Sequence, residues 1–339
     1  MRLSDFSYEL PPELIAQHPP EERDAARMLV VDRAAGNWRD ASFRDLPAFL
    51  GPGDCVVVND SRVLPSRLLG TLEPGGGRAE IFLLRRLEPD TWLALARPGK
   101  RLGPGGRMRI EDGLWAEVVA RGERGERVVR FVGEGDVMAR VEAAGHIPLP
   151  PYIRRGDDAQ DRARYQTVFA RDARATDQRS AAAPTAGLHF NPAMVERVRQ
   201  AGAALAAVTL HVGLGTFQPI EEPTVEANHL HAEQYSVAPE TWAAIQSARR
   251  VVAVGTTSVR TIESVERSGQ LAGETDIFLY PGQPFARTGA LLTNFHLPQS
   301  SLLLLVCAFG GTDLVLAAYR HAVAQRYRFF SYGDCMLVI

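Results

Sequence analysis

Lysine is almost absent: Lys100 is the single lysine among 339 residues, against 37 arginines. Pyridoxal-phosphate enzymes and Schiff-base aldolases need a buried lysine amine, and phosphate-loop NTPases need Gly-Lys-Ser/Thr. The context Gly99-Lys100-Arg101 argues against all three. Cysteine is scarce too. Cys55, Cys307 and Cys335 are odd in number and show no Cys-x-x-Cys spacing, which speaks against a disulfide scaffold or zinc ribbon. The longest apolar run, Leu302–Phe309, is far shorter than the ~20 residues that span a bilayer, and Met1–Asp5 lacks the apolar core of a signal peptide. The expectation is a cytoplasmic protein without membrane contact. A net charge of −2 excludes a polycation of the histone type, so any nucleic acid must meet a local patch.

The composition, 45% hydrophobic and 23% charged, is that of a chain that folds around a sizeable core, with room for about two domains. From Pro74 to about residue 145, short apolar stretches alternate with Gly, Pro and charged turns. Strands are predicted at Ala79–Leu84, Trp92–Ala96, Arg107–Ile110, Leu114–Ala120 and Arg127–Val132, a spacing that suggests a small barrel. Pro148-Leu149-Pro150-Pro151 reads as its exit linker.

Beyond residue 180 the texture is strand, helix, strand. Asn191-Pro192 opens a helix that Gly202 stops. Ala203–Val212 reads as a buried strand, Pro239–Ala248 as a helix, Val251–Val254 as a strand, Ser258–Ser268 as a helix and Ile277–Tyr280 as a strand. Leu302–Phe309 is too short for periodicity to tell helix from strand. Thr312 caps a helix to about Tyr327, and Cys335–Ile339 reads as a closing strand. One more strand, Asp54–Val58, precedes the β-rich unit. It cannot build a core alone, so residues 1–60 are expected to join 151–339 in a mixed α/β domain, with 61–150 inserted as a small all-β barrel.

Gly255-Thr256-Thr257, followed by Arg260, ends one buried strand and opens a helix. It presents free N–H groups and the positive end of the helix dipole, suited to a carboxylate or phosphate, although an ordinary capped turn looks the same. Gly213, Gly215 and Thr216 form a second glycine-rich turn after another strand, beside His211. Two such turns at strand carboxyl ends lie along one edge of a sheet, where open α/β folds bind ligands. His229, His231 and Glu233 share one face if extended. They suit acid/base or substrate contacts better than a metal, for which the remaining histidines supply no second ligand cluster. His189, near Thr185 and Gly187, sits among small residues that admit a ligand. His296, with Asn294, precedes a proline-limited turn. Arg97, Lys100, Arg101, Arg107 and Arg109 place five cations in the β-rich unit with no acid between them, a stripe suited to RNA phosphates or simply to solvent.

Ten strings together resemble one family, the S-adenosylmethionine:tRNA ribosyltransferase-isomerases of queuosine biosynthesis. They are Asp5-Phe6 with Tyr8–Pro11, then Val57–Val63, Tyr165–Val168, Ala182–Phe190, Leu210–Phe217, His229–Tyr235, Val254–Glu263, Thr275–Gly282, Leu292–Pro298 and Tyr327–Asp334. They stand in the family's order across nearly the whole chain. Departures are Arg179-Ser180-Ala181, where Gly-Ser-Val is usual, and Gln218, where Arg is usual. The resemblance implies transfer of the ribosyl part of S-adenosylmethionine onto 7-aminomethyl-7-deazaguanine at the tRNA wobble position. Its partners are then this tRNA and S-adenosylmethionine as cosubstrate, with no further cofactor, no metal and no obligate protein partner. Candidate acid/base groups are His189, His211, His229, His231, Glu233 and His296. Candidate substrate contacts are Thr185, Gly187, Gly213, Gly215, Thr216, Tyr235, Gly255, Thr256, Thr257, Arg260, Tyr280 and Asn294. An S-adenosylmethionine-dependent RNA methyltransferase, suggested by the glycines of His211–Gly215, and an RNA-binding module without catalysis are the competing readings.

Overall fold

The structure is a computed structural model and describes residues 1–171, 180, 182–213, 220 and 222–339. In chain order the first strands are β1 (Arg27–Asp32), β2 (Asn37–Ser42) and β3 (Asp54–Asn59). Next come β4 (Arg67–Glu73), β5 (Arg78–Glu88), β6 (Thr91–Arg97), β7 (Arg107–Glu111), β8 (Leu114–Arg121) and β9 (Arg127–Gly133). Helices α1 (Val137–Ala144), α2 (Ala159–Arg164) and α3 (Pro192–Gln200) lead to β10 (Ala204–Leu210) and β11 (Glu233–Ser236). The remainder is α4 (Pro239–Ser247), β12 (Arg250–Val254), α5 (Thr256–Ser268), β13 (Ala272–Thr275), β14 (Thr288–Asn294), α6 (Ser301–Gly310), α7 (Thr312–Ala324) and β15 (Cys335–Val338).

Nine strands form one mixed sheet in the order β13-β11-β10-β3-β12-β14-β15-β1-β2. At its centre β10, β3, β12 and β14 run parallel. Central strands buried on both faces read as continuous apolar runs, and all six residues of β3 are buried. The amino-terminal segment therefore supplies a central strand, with β1 paired to the carboxyl-terminal β15.

Strands β4 to β9 close into an antiparallel barrel in the order β4-β5-β6-β9-β8-β7. Its inward side chains, among them Leu68, Ile81, Trp92, Met108, Val118 and Phe131, form their own core. Closure removes exposed strand edges. A mixed α/β fold with a small all-β barrel is thus what the chain adopts.

Some local expectations fail. Ile277–Tyr280 is not a strand; the extended pairing falls on β13 instead. The β-rich stretch holds a helix, α1, whose N-cap Asp136 accepts from Ala139 N. The barrel's first strand, β4, precedes Pro74, and β1, β2 and β14 also lay outside the expected strands. Leu302–Phe309 resolves as helix α6. No single helix among the described residues is long and apolar enough to cross a membrane. All three cysteines are buried and free, and burial pushes the thiols of Cys55 and Cys307 up to about 11 and about 12.

Candidate active site

Strand β12 ends at Gly255, whose φ of 87° lies in the left-handed region that favours glycine. Its N–H donates to Leu292 O on β14 (2.7 Å), and α5 begins at the next residue. All ten residues from Thr256 to Val265 are buried although seven are polar or charged. Such a helix is stable only if its polar groups find partners. Ser258 bonds Val254 O, Thr261 bonds Thr257 O and Ser264 meets Thr275 Oγ1. Glu263 accepts from the N–H groups of Ala286, Arg287 and Thr288 and from the Thr288 hydroxyl, 2.7–3.1 Å away. The Thr257 hydroxyl, at the positive end of the helix, has no partner among the described residues.

A cavity of about 410 Å³ opens at this point, within the size range of small-molecule sites. Thr185, Gly255, Thr256, Thr257, Asn294 and His296 all line it, so six of the candidate residues converge from three separated segments. The amino end of α6 (Ser300, Ser301, Leu302) contributes a second helix terminus. Tyr152 and Phe330 form an aromatic wall, stacked at 4.2 Å, with the Tyr152 hydroxyl 2.5 Å from Ser331 Oγ. Phe330 sits at φ 70°, a costly conformation for an aromatic residue. Asn294 Nδ2 donates to its carbonyl (3.1 Å) and lies 3.2 Å from His189 Nε2, leaving Asn294 Oδ1 buried without a partner among the described residues.

His296 is buried with Nε2 2.8 Å from Thr293 Oγ1, and desolvation lowers its pKa to about 3. It lines the cavity as a neutral imidazole. His189 does not line this cavity; burial, then Arg23 and Arg328, hold its pKa near 4, and it orients Asn294.

Beside this cavity lies a smaller one of about 20 Å³, lined by His231, Glu233 and Arg260 and sharing Ser301 and Leu302 with the first. Here Glu233 and Arg260 form a buried ion pair. The second Glu233 oxygen accepts from Gly213 N at 2.7 Å, and Arg260 also donates to Ile277 O and Thr275 O. The pair ties the turn after β10 to α5. His211 is half-buried, its pKa lowered by burial and its Nδ1 without a partner among the described residues; it lines neither cavity. His229 is exposed outside both. Gly187 packs on Thr167, which a Cβ would approach to 2.9 Å. Tyr235 bonds Gln270 O, and Tyr280 packs on Phe278. Gly215, Thr216, Arg179, Ala181 and Gln218 lie outside the described residues.

The model of the family described as "Queuosine biosynthesis protein" matches residues 3–338. The chain belongs to this family. It is 57% identical to the S-adenosylmethionine:tRNA ribosyltransferase-isomerase of Solibacter usitatus and 51% identical to that of Symbiobacterium thermophilum, each over the full length of both chains. The crystal structure of S-adenosylmethionine tRNA ribosyltransferase from Thermotoga maritima is similar at TM-score 0.56 and 38% identity, covering 99% of this chain and 100% of that one.

Within this family member the five-cation stripe splits. Arg107 pairs with Glu117 (3.3 Å) and lies over the Trp115 ring, and Arg109 pairs with Asp112 (2.7 Å) and Glu73 (3.6 Å). Acids absent between them in sequence arrive from the adjacent strands β8 and β4 and from the turn after β7. Arg97, Lys100 and Arg101 are exposed and have no carboxylate partner among the described residues. Among those residues, too, no three His, Cys, Asp or Glu side chains gather as a metal would require.

Sequence reasoning missed Tyr152, Phe330 and Ser331. The signals were present in the proline-flanked Tyr152 and in Tyr327–Asp334, but nothing local says that the two strings meet. It also missed Asp60, at the end of β3, whose carboxyl is raised by burial, accepts from Thr209 Oγ1 (2.6 Å) and pairs with Arg171.

Proposed function

We propose that this chain transfers and isomerises the ribosyl part of S-adenosylmethionine onto 7-aminomethyl-7-deazaguanine at the tRNA wobble position, releasing adenine and methionine and leaving epoxyqueuosine-tRNA. The observation that carries the reading is the name shared by relatives 48–57% identical over the whole chain. That shared name gives the methyltransferase reading no support. The cavity fits the cosubstrate's chemistry. Its methionine carboxylate suits the amino end of α5, where backbone N–H groups and the Thr257 hydroxyl are unspent. The Tyr152–Phe330 wall suits a purine ring or the sulfonium, which aromatic faces attract. The sulfonium acidifies the neighbouring C5′ protons, a base removes one, adenine departs, the amine of the modified base attacks, and epoxide closure expels methionine. His296, neutral and on the cavity wall, is the acid/base group this reading favours.

The same proposal assigns residues 1–60 with 151–339 to cosubstrate binding and 61–150 to tRNA contacts through Arg97, Lys100 and Arg101. It needs no metal and no other protein. The test is product analysis with tRNA bearing the aminomethyl-deazaguanine. Free adenine and methionine, formed only with that tRNA and undiminished by a chelator, are the expected result. S-adenosylhomocysteine would replace the reading with a methyltransferase, and activity lost to chelation and restored by a metal would overturn the metal-free part.

A further inference from the structure

Three arginines outside the barrel stripe, Arg23, Arg164 and Arg328, form no ion pair among the described residues, although Arg328 feels the buried Asp334 carboxyl, which takes its hydrogen bonds from the backbone N–H groups of Arg27 and Arg328. Arg23 donates to Leu188 O (3.2 Å) and Ala163 O (3.0 Å), Arg164 to Glu21 O (2.8 Å) and Pro20 O (2.6 Å), and Arg328 to His18 O. Every partner is a neutral main-chain carbonyl, which fixes a guanidinium without cancelling its charge. Nearby acids are engaged elsewhere: Glu22 and Asp24 pair with Arg44, and Asp158 and Asp161 with Arg155. The Glu21 carboxylate pairs with none of the three. Their mutual field is felt locally: Arg23 is shifted down by burial and then by Arg164, and His189 by burial and then by Arg23 and Arg328.

Location gives this cluster its meaning. Arg23, Arg164, His189 and Ser331 line one shallow pocket, and Ser331 also lines the main cavity. Positive charge preorganised by carbonyl bonds therefore begins in a pocket that shares Ser331 with the main cavity. A guanidinium carries five N–H donors in a rigid fork suited to phosphate oxygens, and two bonds leave the others unspent.

We propose that Arg23, Arg164 and Arg328 form a phosphodiester clamp, holding RNA backbone phosphates that flank the nucleotide entering the cavity. The clamp rests on the reading of tRNA as substrate, and it adds an electrostatic contact at the rim of the cavity to the one assigned to the barrel stripe.

The test is tRNA binding measured at several salt concentrations for wild type and for Arg23, Arg164 and Arg328 each changed to Gln or to Lys. Gln keeps a donor for the carbonyl and removes the charge, whereas Lys keeps the charge and loses the fork. Each Gln variant should make the log–log salt slope shallower by roughly 0.7 to 0.9, the contribution of one phosphate contact. The Lys variants should keep the wild-type slope, and S-adenosylmethionine affinity should be unchanged throughout. Gln variants with the wild-type slope overturn the clamp, as do Lys variants that flatten the slope as much as Gln does. If a Gln variant does not fold, hydrogen exchange on the wild-type protein decides: bound tRNA should protect 19–25 and 162–165, and no protection there overturns the clamp. A wild type that releases no adenine with tRNA defeats the functional reading, whereas one that does so beside unaltered Gln slopes defeats the clamp alone.

Discussion

The Thr257 hydroxyl sits at the mouth of a helix with no bond to lose among the described residues, so its replacement isolates a ligand contact. Changing Thr256 and Thr257 to Val should weaken S-adenosylmethionine binding by ~1 to 3 kcal/mol, the cost of lost buried hydrogen bonds. Calorimetric titration measures it, and wild-type affinity would remove the carboxylate from this turn. His296 makes the complementary case. Its imidazole is held neutral by burial, and the change to Ala should lower kcat by roughly 10²- to 10⁴-fold, the usual span of acid–base catalysis, with little change in cosubstrate affinity. A kcat within a fewfold of wild type would return the role to another group.

Helix α5 is the element on which the site depends, because its polar face is spent on neighbours rather than on water. Glu263 gathers the loop before β14, and Arg260 joins β11 through Glu233. Removing one member of a buried pair leaves the other charge unpaired, at a cost of about 3 to 5 kcal/mol. Arg260→Met should therefore destabilise the protein by that amount in urea unfolding. A stable variant that fails only in binding S-adenosylmethionine would instead make Arg260 a direct ligand contact. The barrel shows the opposite use of charge: cross-strand neighbours in β8 and at the end of β4, together with Asp112 in the turn after β7, consume Arg107 and Arg109, since charges facing each other across a sheet pair where they can.

At the scale of the whole molecule, burial of histidines makes the fold sensitive to acid. His189 and His296 have folded pKa values of about 4 and about 3, against roughly 6.5 in the unfolded chain. Between these values the unfolded state binds more protons, so stability is full above pH ~6.5 and falls as pH drops toward the folded values. His211, lowered by burial, adds in the same sense. Asp60 and Asp334, raised by burial, work the other way. Each neutral buried histidine contributes a slope of up to about 1.4 kcal/mol per pH unit. Urea unfolding at pH 7.5 and at pH 5 should show the loss, and equal stabilities would mean that these imidazoles are not held neutral by the fold.

The ordered strings, the alternation of strand and helix, and the barrel's short strands were legible without coordinates, because hydrophobic period, caps and turn residues are local properties. So was the strand-to-helix turn at Gly255–Thr257. Pairing was not. That Arg260 meets Glu233, that Arg107 meets Glu117, and that His189 serves Asn294 depend on contacts between residues 10 to 105 positions apart. The reading of Ile277–Tyr280 as a strand failed for the same reason, since apolar residues there pack on the core without a strand neighbour to pair with. Sequence by itself determined the family, the layers and which residue types the chemistry has available. Only the tertiary structure decided which charges are spent on each other and which are left for a ligand, because an ionisable group's state is set by whatever the fold brings within a few ångströms of it.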